Sequence, residues 1–276
     1  MKDSEPILRL ENVHKAFGET VVLDGVDLEV YAGQTTVIIG ASGCGKSVLL
    51  KHMIGLIHPD SGRVFFRNHE ISSLSEKRLV PIRRQMGFLF QSSALFDSMT
   101  VEQNICFPLI DHNVGTKASQ LSRCREVLSL VGLDGLQERF PAELSGGQQK
   151  RVALARAIAL GPQVIFYDEP TTALDPIRAD LINELILKLQ GALGNTAVIV
   201  THDMASARKV ANRILMLHNG KFILDTAPAD LDDVTDEVVS RFIEGRASPE
   251  ELAELQTGRL GADKTSQAEP SGETQR

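Results

Sequence analysis

The residues best suited to chemistry lie at positions 40–47, where the sequence is GASGCGKS. This spacing fits the P-loop pattern Gly-x-x-x-x-Gly-Lys-Ser, in which successive backbone N–H groups surround phosphate oxygens. In this pattern Lys46 contacts the β- and γ-phosphates, and the Ser47 hydroxyl binds Mg²⁺. An apolar run at 36–39 precedes the loop and helical spacing at 48–57 follows it, which predicts a strand, the loop and a helix. The pattern predicts a nucleotide site, with a chance glycine-rich turn as the alternative.

The loop also contains a cysteine. We expect Cys44 to be a small filler of the loop, and the alternative is an oxidisable thiolate favoured by nearby positive charge. The residues that we assign to nucleotide binding in this loop are Gly40, Ala41, Ser42, Gly43, Cys44, Gly45, Lys46 and Ser47.

Two carboxylates, Asp168 and Glu169, follow an apolar run at 164–167 that predicts a buried strand. In P-loop enzymes an Asp in this place holds Mg²⁺, directly or through a water, which predicts Asp168 as a metal ligand. Glu169 is the next residue, so its side chain points elsewhere. At the carboxyl end of a strand, where ligands bind in open α/β sheets, Glu169 could accept a proton from an attacking water. The alternative is a pair of exposed acids at the start of a loop.

A second candidate anion site is the sequence LSGGQ at residues 144–148. It opens a predicted helix at 146–160, with Ser145 as the N-cap. The unpaired N–H groups and the positive dipole end of a helix attract anions, and two glycines leave the backbone accessible. These residues alone do not say whether both anion sites face the same phosphate.

The segments around these motifs predict an α/β fold. Two strand-like segments within residues 7–31 predict an antiparallel β subdomain ahead of the P-loop. Short strands are predicted at 64–67 and 86–90, separated by a helix at 75–84. Helical spacing dominates residues 91–160, which predicts an α-helical subdomain inserted in the sheet.

Strands and helices alternate again after residue 161, which predicts a parallel sheet with crossover helices, closed by a hairpin at Asn219-Gly220. We therefore expect a nucleotide-binding core with its antiparallel β subdomain at residues 1–90 and 161–235, and a helical subdomain at 91–160. An amphipathic helix at 236–244 and a flexible tail are expected within the last part, 236–276.

Composition narrows the class of protein. The chain has 276 residues, of which 42% are hydrophobic and 24% charged, as in compact globular proteins. Its net charge of −7 argues against nucleic acid as the main partner, because nucleic-acid-binding domains usually carry a basic excess. Three widely spaced cysteines, Cys44, Cys106 and Cys124, fit a reducing compartment such as the cytoplasm better than a disulfide framework or a metal site.

Membrane attachment would have to come from another subunit. No stretch reaches the roughly 20 apolar residues that a membrane span needs. The start of the chain, MKDSEP, lacks the apolar segment of a signal peptide. We therefore expect a cytoplasmic protein that is held by a partner if it works at a membrane.

The motifs and their order resemble those of the ATP-binding cassette (ABC) ATPases. LSGGQQKR at 144–151 is similar to the signature sequence of that family, and it lies between the P-loop and the Asp-Glu pair, as it does in the family. The resemblance covers roughly residues 7–230. It implies a P-loop NTPase fold with a RecA-like core, ATP and Mg²⁺ as ligands, and hydrolysis of ATP.

The resemblance also implies roles for residues whose types alone indicate little. Gln91 would contact Mg²⁺ and the attacking water while sensing a membrane partner, and His202 would contact the γ-phosphate. Phe17 would stack on adenine, where the family more often has Tyr, and a core position is the alternative. The implied catalytic residues are Glu169, His202, Gln91 and Lys46, and the implied metal ligands are Ser47, Gln91 and Asp168. The implied D-loop residues are Ala173, Leu174 and Asp175.

The resemblance implies that two cassettes pack head to tail, and therefore that the protein is a homodimer. Each ATP would lie between the P-loop of one subunit and the signature residues of the other. The residues that would act in trans are Leu144, Ser145, Gly146, Gly147 and Gln148.

A closer similarity lies in FLFQSSALFDSMTVEQNICFPL at 88–109 and in RFIEGRA at 241–247. Both resemble ATPases that energise bacterial MCE-type lipid transporters, including the Mla phospholipid system, whose C-terminal tail would pack on the neighbouring ATPase. The similarity implies an integral membrane permease (MlaE-like) as partner at the cytoplasmic face of the inner membrane. The similarity also implies an MCE-domain protein and a small STAS-type subunit as further partners.

Three alternatives to this function stay open at this point. They are a non-transport ABC ATPase of DNA repair or translation, a transporter subunit for another substrate, and a P-loop small-molecule kinase. The kinase alternative leaves LSGGQ unexplained.

Overall fold

The computed structural model describes residues 5–247 and, beyond them, residues 249, 252 and 253. The chain divides into two compact units, Met1–Asp233 and Val234–Arg276. Within the described residues, all ten strands and seven of the eight α-helices belong to the first unit.

The strands are β1 (Pro6–Phe17), β2 (Thr20–Tyr31), β3 (Thr35–Ile39), β4 (Ser61–Phe66), β5 (His69–Glu70), β6 (Met86–Leu89), β7 (Val164–Asp168), β8 (Thr196–Thr201), β9 (Arg213–His218) and β10 (Lys221–Thr226). The helices of the first unit are α1 (Lys46–Met53), α2 (Glu76–Arg83), α3 (Val101–Asp111), α4 (Lys117–Leu130), α5 (Gly146–Ile158), α6 (Pro176–Leu193) and α7 (Met204–Val210). Short 3-10 helices span Pro141–Glu143 and Pro228–Asp233.

Six strands form a mixed sheet in the order β10-β9-β3-β8-β7-β6. Neighbouring strands are parallel except β9 and β10, which form the predicted antiparallel hairpin. Its turn residues Asn219 and Gly220 have φ of 46° and 74°. Such positive values are what a tight two-residue hairpin turn requires, so the sequence signal at this turn is confirmed.

The centre of this sheet brings three strand ends together. Every residue of β3, β7 and β8 is buried, which is typical of parallel strands covered on both faces. Ile39 of β3 pairs with Thr201 of β8, and Asp168 of β7 pairs with Val200 of β8. The P-loop, Glu169 and the residue after Thr201 therefore leave the sheet at the same edge.

A second sheet is antiparallel and has the order β2-β1-β4-β5. Leu8 and Leu10 of β1 are buried and share one hydrophobic core with Leu50 of α1 and Val198 of β8. The predicted antiparallel region ahead of the P-loop is confirmed, and its core includes residues of α1, the helix that follows the loop.

Helices α3, α4 and α5 pack against one another. Each begins with a hydroxyl N-cap, Thr100, Thr116 or Ser145, that exchanges hydrogen bonds with the third residue of its helix. The predicted dominance of helix at 91–160 is therefore confirmed within the described residues, whereas the subdomain boundaries stay a prediction.

Two predicted helix ends are wrong. The helix after the P-loop was expected to reach residue 57, but α1 ends at Met53 because Gly55 turns the chain with φ of 68°. The signature helix was expected to reach residue 160, but α5 ends at Ile158, ahead of Gly161 with φ of 66°.

The second unit contains α8 (Glu237–Glu244). The Asp236 carboxylate accepts hydrogen bonds from the N–H groups of Val238 and Val239, and Gly245 ends the helix with φ of 67°. The predicted helix at 236–244 is thus confirmed, while the predicted flexible tail lies outside the described residues. Among the helices of the described chain, none is long and apolar enough to cross a membrane.

Candidate nucleotide-binding site

Two positions of the P-loop require glycine. A Cβ at Gly40 would lie 2.4 Å from the carbonyl oxygen of Leu217 and 2.8 Å from Cys44 Sγ. Gly45 has φ of 104°, and a Cβ there would lie 2.8 Å from a methyl carbon of Val22. Because these distances are much shorter than van der Waals contact, a side chain at either position would clash, and only glycine allows the loop to adopt this conformation.

Lys46 is buried with its ammonium inside the loop. Its Nζ donates hydrogen bonds to the carbonyl oxygens of Gly40 at 2.8 Å and Ala41 at 3.0 Å. It also lies 3.6 Å from Glu169 Oε1. The positive charge is therefore held at the mouth of the loop, where the P-loop pattern requires it for the β- and γ-phosphates.

Ser47 and Asp168 meet across the sheet edge. The Ser47 hydroxyl donates a 2.7 Å hydrogen bond to Asp168 Oδ1. Burial raises the pKa of Asp168, and the hydrogen bond from Ser47 partly counteracts that rise. A hydroxyl beside a buried carboxylate is the type of hard oxygen pair that Mg²⁺ prefers, so these residues fit the predicted metal site.

Glu169 is 7% exposed and is held from several directions. Its Oε2 lies 3.0 Å from His202 Nδ1 and accepts hydrogen bonds from the hydroxyls of Thr201 and Thr172 at 3.3 Å and 3.2 Å. Its backbone has φ of 48°, a left-handed value that is rare for non-glycine residues and is strained. The carboxylate is therefore fixed beside the P-loop lysine rather than exposed, which contradicts the alternative of two ordinary surface acids.

His202 follows β8, and about half of its side chain is exposed. Asp203 serves as the N-cap of α7 by accepting from the N–H of Ala205 at 3.0 Å. Asp203 therefore fixes the start of the helix that follows His202. His202 itself contacts Glu169, while its contact with a γ-phosphate stays a prediction.

The signature residues do not join this cluster within the chain. Ser145 and Gly146 are exposed, and open space lies in front of Gly146. Ser145 Oγ accepts from Gln148 N at 3.4 Å, and Gln148 Oε1 accepts from Ser145 N at 2.9 Å. Among the described residues, no hydrogen bond or ion pair links residues 144–148 to residues 40–47. The N-terminus of α5 is therefore accessible, and its role as a second anion site stays a prediction.

Three further elements of the predicted site are Phe17, Gln91 and the D-loop. Phe17 ends β1 and is 50% exposed, so the alternative of a core position is wrong and the ring is accessible. Gln91 is exposed on the loop after β6, and no hydrogen bond joins its side chain to Ser47 or Asp168 in the described structure. The predicted D-loop leads into α6, where Asp175 is the N-cap.

Cys44 packs beside Gly40, as expected of a small filler. Burial raises the pKa of the Cys44 thiol and outweighs the opposing effect of the Lys46 charge. The raised pKa favours the thiol form over the thiolate of the alternative.

Sequence reasoning missed Lys150 and Arg156, which join α5 to the loop after β6. Lys150 Nζ donates to the carbonyl oxygen of Gln91 at 2.6 Å. The Arg156 guanidinium donates to the carbonyl oxygens of Ser93 at 3.0 Å and Ala94 at 2.8 Å. One signal could have identified Lys150, because a lysine in line with the apolar residues at 153, 154 and 158 lies on the buried face of the helix.

The P-loop follows β3, and the acidic pair lies at the end of β7, two strands away in the parallel part of the same sheet. This arrangement defines a P-loop nucleotide-binding protein. Comparison with known proteins refines this class. The sequence pattern of the family described as "ABC transporter" matches residues 23–172.

Individual relatives agree with this match. The methionine import ATP-binding protein MetN of Brucella abortus is 42% identical over 217 residues, which are 79% of this chain and 58% of that protein. The chain thus spans just over half the length of this relative. The probable ribonucleotide transport ATP-binding protein mkl of Mycobacterium leprae is 39% identical over 240 residues, covering 87% of this chain and 69% of that protein.

The fold is similar to that of the bacterial ABC transporter cassette MJ0796, solved as a dimer in a post-hydrolysis state bound to ADP and Pi. The TM-score is 0.74 at 36% identity, over 80% of this chain and 98% of the cassette. The chain therefore belongs to the ABC transporter family, and its α/β cassette fold is confirmed. The closer similarity to lipid-transport ATPases stays a prediction.

Proposed function

We propose that this chain is the ATP-hydrolysing subunit of an ABC transporter that moves phospholipid or a related lipid. The observation that carries the ATPase part is the cluster formed by Lys46, the Ser47–Asp168 pair and the Glu169–His202 pair at one sheet edge. It combines a cation for phosphates, oxygen ligands for Mg²⁺ and a carboxylate positioned to take a proton.

The residues divide the work of hydrolysis between them. The P-loop N–H groups and Lys46 would bind the phosphates of ATP, and Ser47 and Asp168 would hold Mg²⁺, which neutralises developing charge when bound. Glu169 would accept the proton of a water whose oxygen attacks the γ-phosphorus. As the new P–O bond forms, the bond to the β-phosphate oxygen breaks, which releases ADP and phosphate.

The position of Glu169 suits the role of general base. Its Oε1 faces Lys46 and its Oε2 faces His202. The hydroxyls of Thr172 and Thr201 further restrict the carboxylate. His202 would orient Glu169 and, in the presence of ATP, contact the γ-phosphate.

A homodimer would complete each site. The exposed N-terminus of α5 offers N–H groups to an anion that the same chain does not supply. In a head-to-tail dimer, residues 144–148 of one subunit would face the ATP on the P-loop of the other. The exposed ring of Phe17 would stack on adenine, and the D-loop residues would lie at the dimer interface.

The membrane partner is proposed from the loop after β6. Phe96, Phe107 and Ile110 are exposed large apolar residues in or after this loop. The rings of Phe96 and Phe107 have centroids 4.8 Å apart. Exposed apolar residues in the loop that contains Gln91 and in the helix after it suit contact with an integral membrane permease at the cytoplasmic face of the inner membrane.

The lipid substrate rests on the similarity of residues 88–109 and 241–247 to ATPases of MCE-type transporters. We therefore also propose an MCE-domain protein and a small STAS-type subunit as partners. The helical subdomain at 91–160 would connect the ATP site to the permease. The two relatives described above are named for methionine import and ribonucleotide transport, so the substrate test must include both compounds.

Purification from the native membrane in mild detergent tests this proposal. We expect an integral membrane permease and phospholipid to co-purify, as measured by mass spectrometry of proteins and lipids. After reconstitution, lipid should stimulate ATP hydrolysis, whereas methionine and ribonucleotides other than ATP should not. Stimulation by either of those compounds would contradict the lipid substrate, and association with DNA or ribosomes would contradict transport.

A further inference from the structure

Lys150 is a buried cation in the second turn of α5, with 5% of its surface exposed. Its Nζ lies 2.6 Å from the carbonyl oxygen of Gln91 and 3.4 Å from the carbonyl oxygen of Glu169. These two carbonyls belong to separate loops, one after β6 and one after β7. A single ammonium therefore bridges the loop glutamine and the proposed general base.

Both bridged loops contain strained backbone. Glu169 has φ of 48°, and in the other loop Ser93 and Ala94 have φ of 65° and 48°. Non-glycine residues keep such values only where surrounding contacts hold them. Lys150 supplies such contacts to both loops, and Arg156 adds two more to the carbonyls of Ser93 and Ala94. Helix α5 therefore holds both loops in their observed conformations.

The charge of Lys150 is not needed for packing. Burial lowers its pKa, while the carboxylates of Asp168 and Glu169 oppose that change. Burying an ammonium is unfavourable unless hydrogen bonds and opposite charges offset the desolvation, and an apolar side chain of similar length would fill the same space without that cost. A lysine here therefore fits a role in the chemistry better than a role in stability.

We propose that Lys150 is a positioning residue for ATP hydrolysis, which holds the backbones of Gln91 and Glu169 at a fixed separation across the place of the attacking water. The inference rests on the proposed ATPase function and adds a residue to it. Because Ser145 is the N-cap of α5, the same helix that would meet the partner subunit's ATP also carries the ammonium that holds Glu169. A shift of α5 on contact with that ATP would thereby be transmitted to Glu169 through a single rigid helix.

The test compares Lys150→Met, which keeps the aliphatic stem, with Lys150→Arg, which keeps the charge. Loss of a charge-assisted hydrogen bond should lower kcat of Lys150→Met by about tenfold to a hundredfold. The KM for ATP, and the Kd for a non-hydrolysable ATP analogue, should stay within about twofold, because in the described structure Lys150 makes no hydrogen bond or ion pair with a P-loop residue. Lys150→Arg should recover most of kcat.

The matched control is Lys188→Met. Lys188 also donates to a backbone carbonyl, that of Leu130 at 2.9 Å, but it is exposed and outside the site. This variant should keep the kcat of the unmodified protein. If Lys150→Met does not fold, Lys150→Gln replaces it, with an unchanged Kd and a kcat between those expected for the Met and Arg variants.

A double variant separates positioning from a general loss of structure. If Lys150 acts through Glu169, adding Lys150→Met to Glu169→Gln should lower kcat no further. A kcat for Lys150→Met or Lys150→Gln equal to that of Lys188→Met would overturn the inference, as would a loss of ATP binding that Arg does not recover. An unmodified protein without ATPase activity would instead refute the proposed function.

Discussion

Replacing Ser47 with alanine removes the hydroxyl that donates a 2.7 Å hydrogen bond to Asp168. Asp168 is 7% exposed, so in the metal-free protein its carboxylate would lose a buried donor without gaining water. A hydrogen bond to a charged group contributes about 1.5–3 kcal/mol. We therefore expect Ser47→Ala to lower the free energy of unfolding by that amount near neutral pH.

The pKa of Asp168 determines how the destabilisation by Ser47→Ala depends on pH. Burial raises the folded-state pKa of Asp168 above its ordinary value. The stability contribution of this carboxyl is therefore greatest below the ordinary pKa of an unfolded Asp, and it falls as pH rises through the folded-state pKa. Because Ser47 opposes the rise, Ser47→Ala should raise that pKa further. The loss in free energy of unfolding caused by Ser47→Ala should shrink to about 1 kcal/mol or less at acid pH, where Asp168 is protonated.

The assay is urea unfolding followed by circular dichroism, because the chain has no tryptophan. It is run with EDTA and without nucleotide, at neutral pH and at the lowest pH of reversible folding. Ser72→Ala is the control, since the Ser72 hydroxyl also donates to a carboxylate, Glu70 Oε1 at 3.1 Å, away from the site. Equal losses for Ser47→Ala at both pH values would refute the reasoning about Asp168.

Two further predictions concern the composite site and the loop cysteine. Lys46→Ala and Ser145→Arg should each abolish ATP hydrolysis. A one-to-one mixture of the two variants should recover about a quarter of the unmodified activity, because half of the dimers then contain one intact site of two. No recovery would contradict sites shared between subunits. Iodoacetamide should modify Cys44 more slowly than a free cysteine at neutral pH, with an inflection at higher pH, because its pKa is raised. Peptide mass spectrometry measures this rate, and an inflection at lower pH than that of free cysteine would contradict the prediction.

The parts of the site that depend on local sequence could be predicted. The spacing of Gly40, Gly45 and Lys46 defines the P-loop pattern. The close approach of neighbouring atoms at both glycines explains why a residue with a side chain would not fit there. Asp168 was also accessible to sequence reasoning, because the end of a buried strand is marked by a change from apolar to acidic residues. Helix ends were less predictable, since Gly55 reverses the chain inside an apolar pattern.

The parts that depend on packing between distant segments could not be predicted. The contact of Glu169 with His202 arises because β7 and β8 pair in register, which sequence spacing does not reveal. Lys150 has a local signal in its apolar surroundings, but its acceptors at Gln91 and Glu169 come from two other segments. The raised pKa of Cys44 depends on burial, which outweighs the nearby positive charge used in the sequence argument.

The most direct test of the central claim is the ATP-dependent assembly of Glu169→Gln. This change keeps the shape of the side chain but removes the proposed base, so ATP should bind and persist. By light scattering after gel filtration, we expect a monomer without nucleotide and a dimer with ATP, with turnover at least about a hundredfold below that of the unmodified protein. A variant that stays monomeric with saturating ATP, or that hydrolyses ATP at the unmodified rate, would contradict this account.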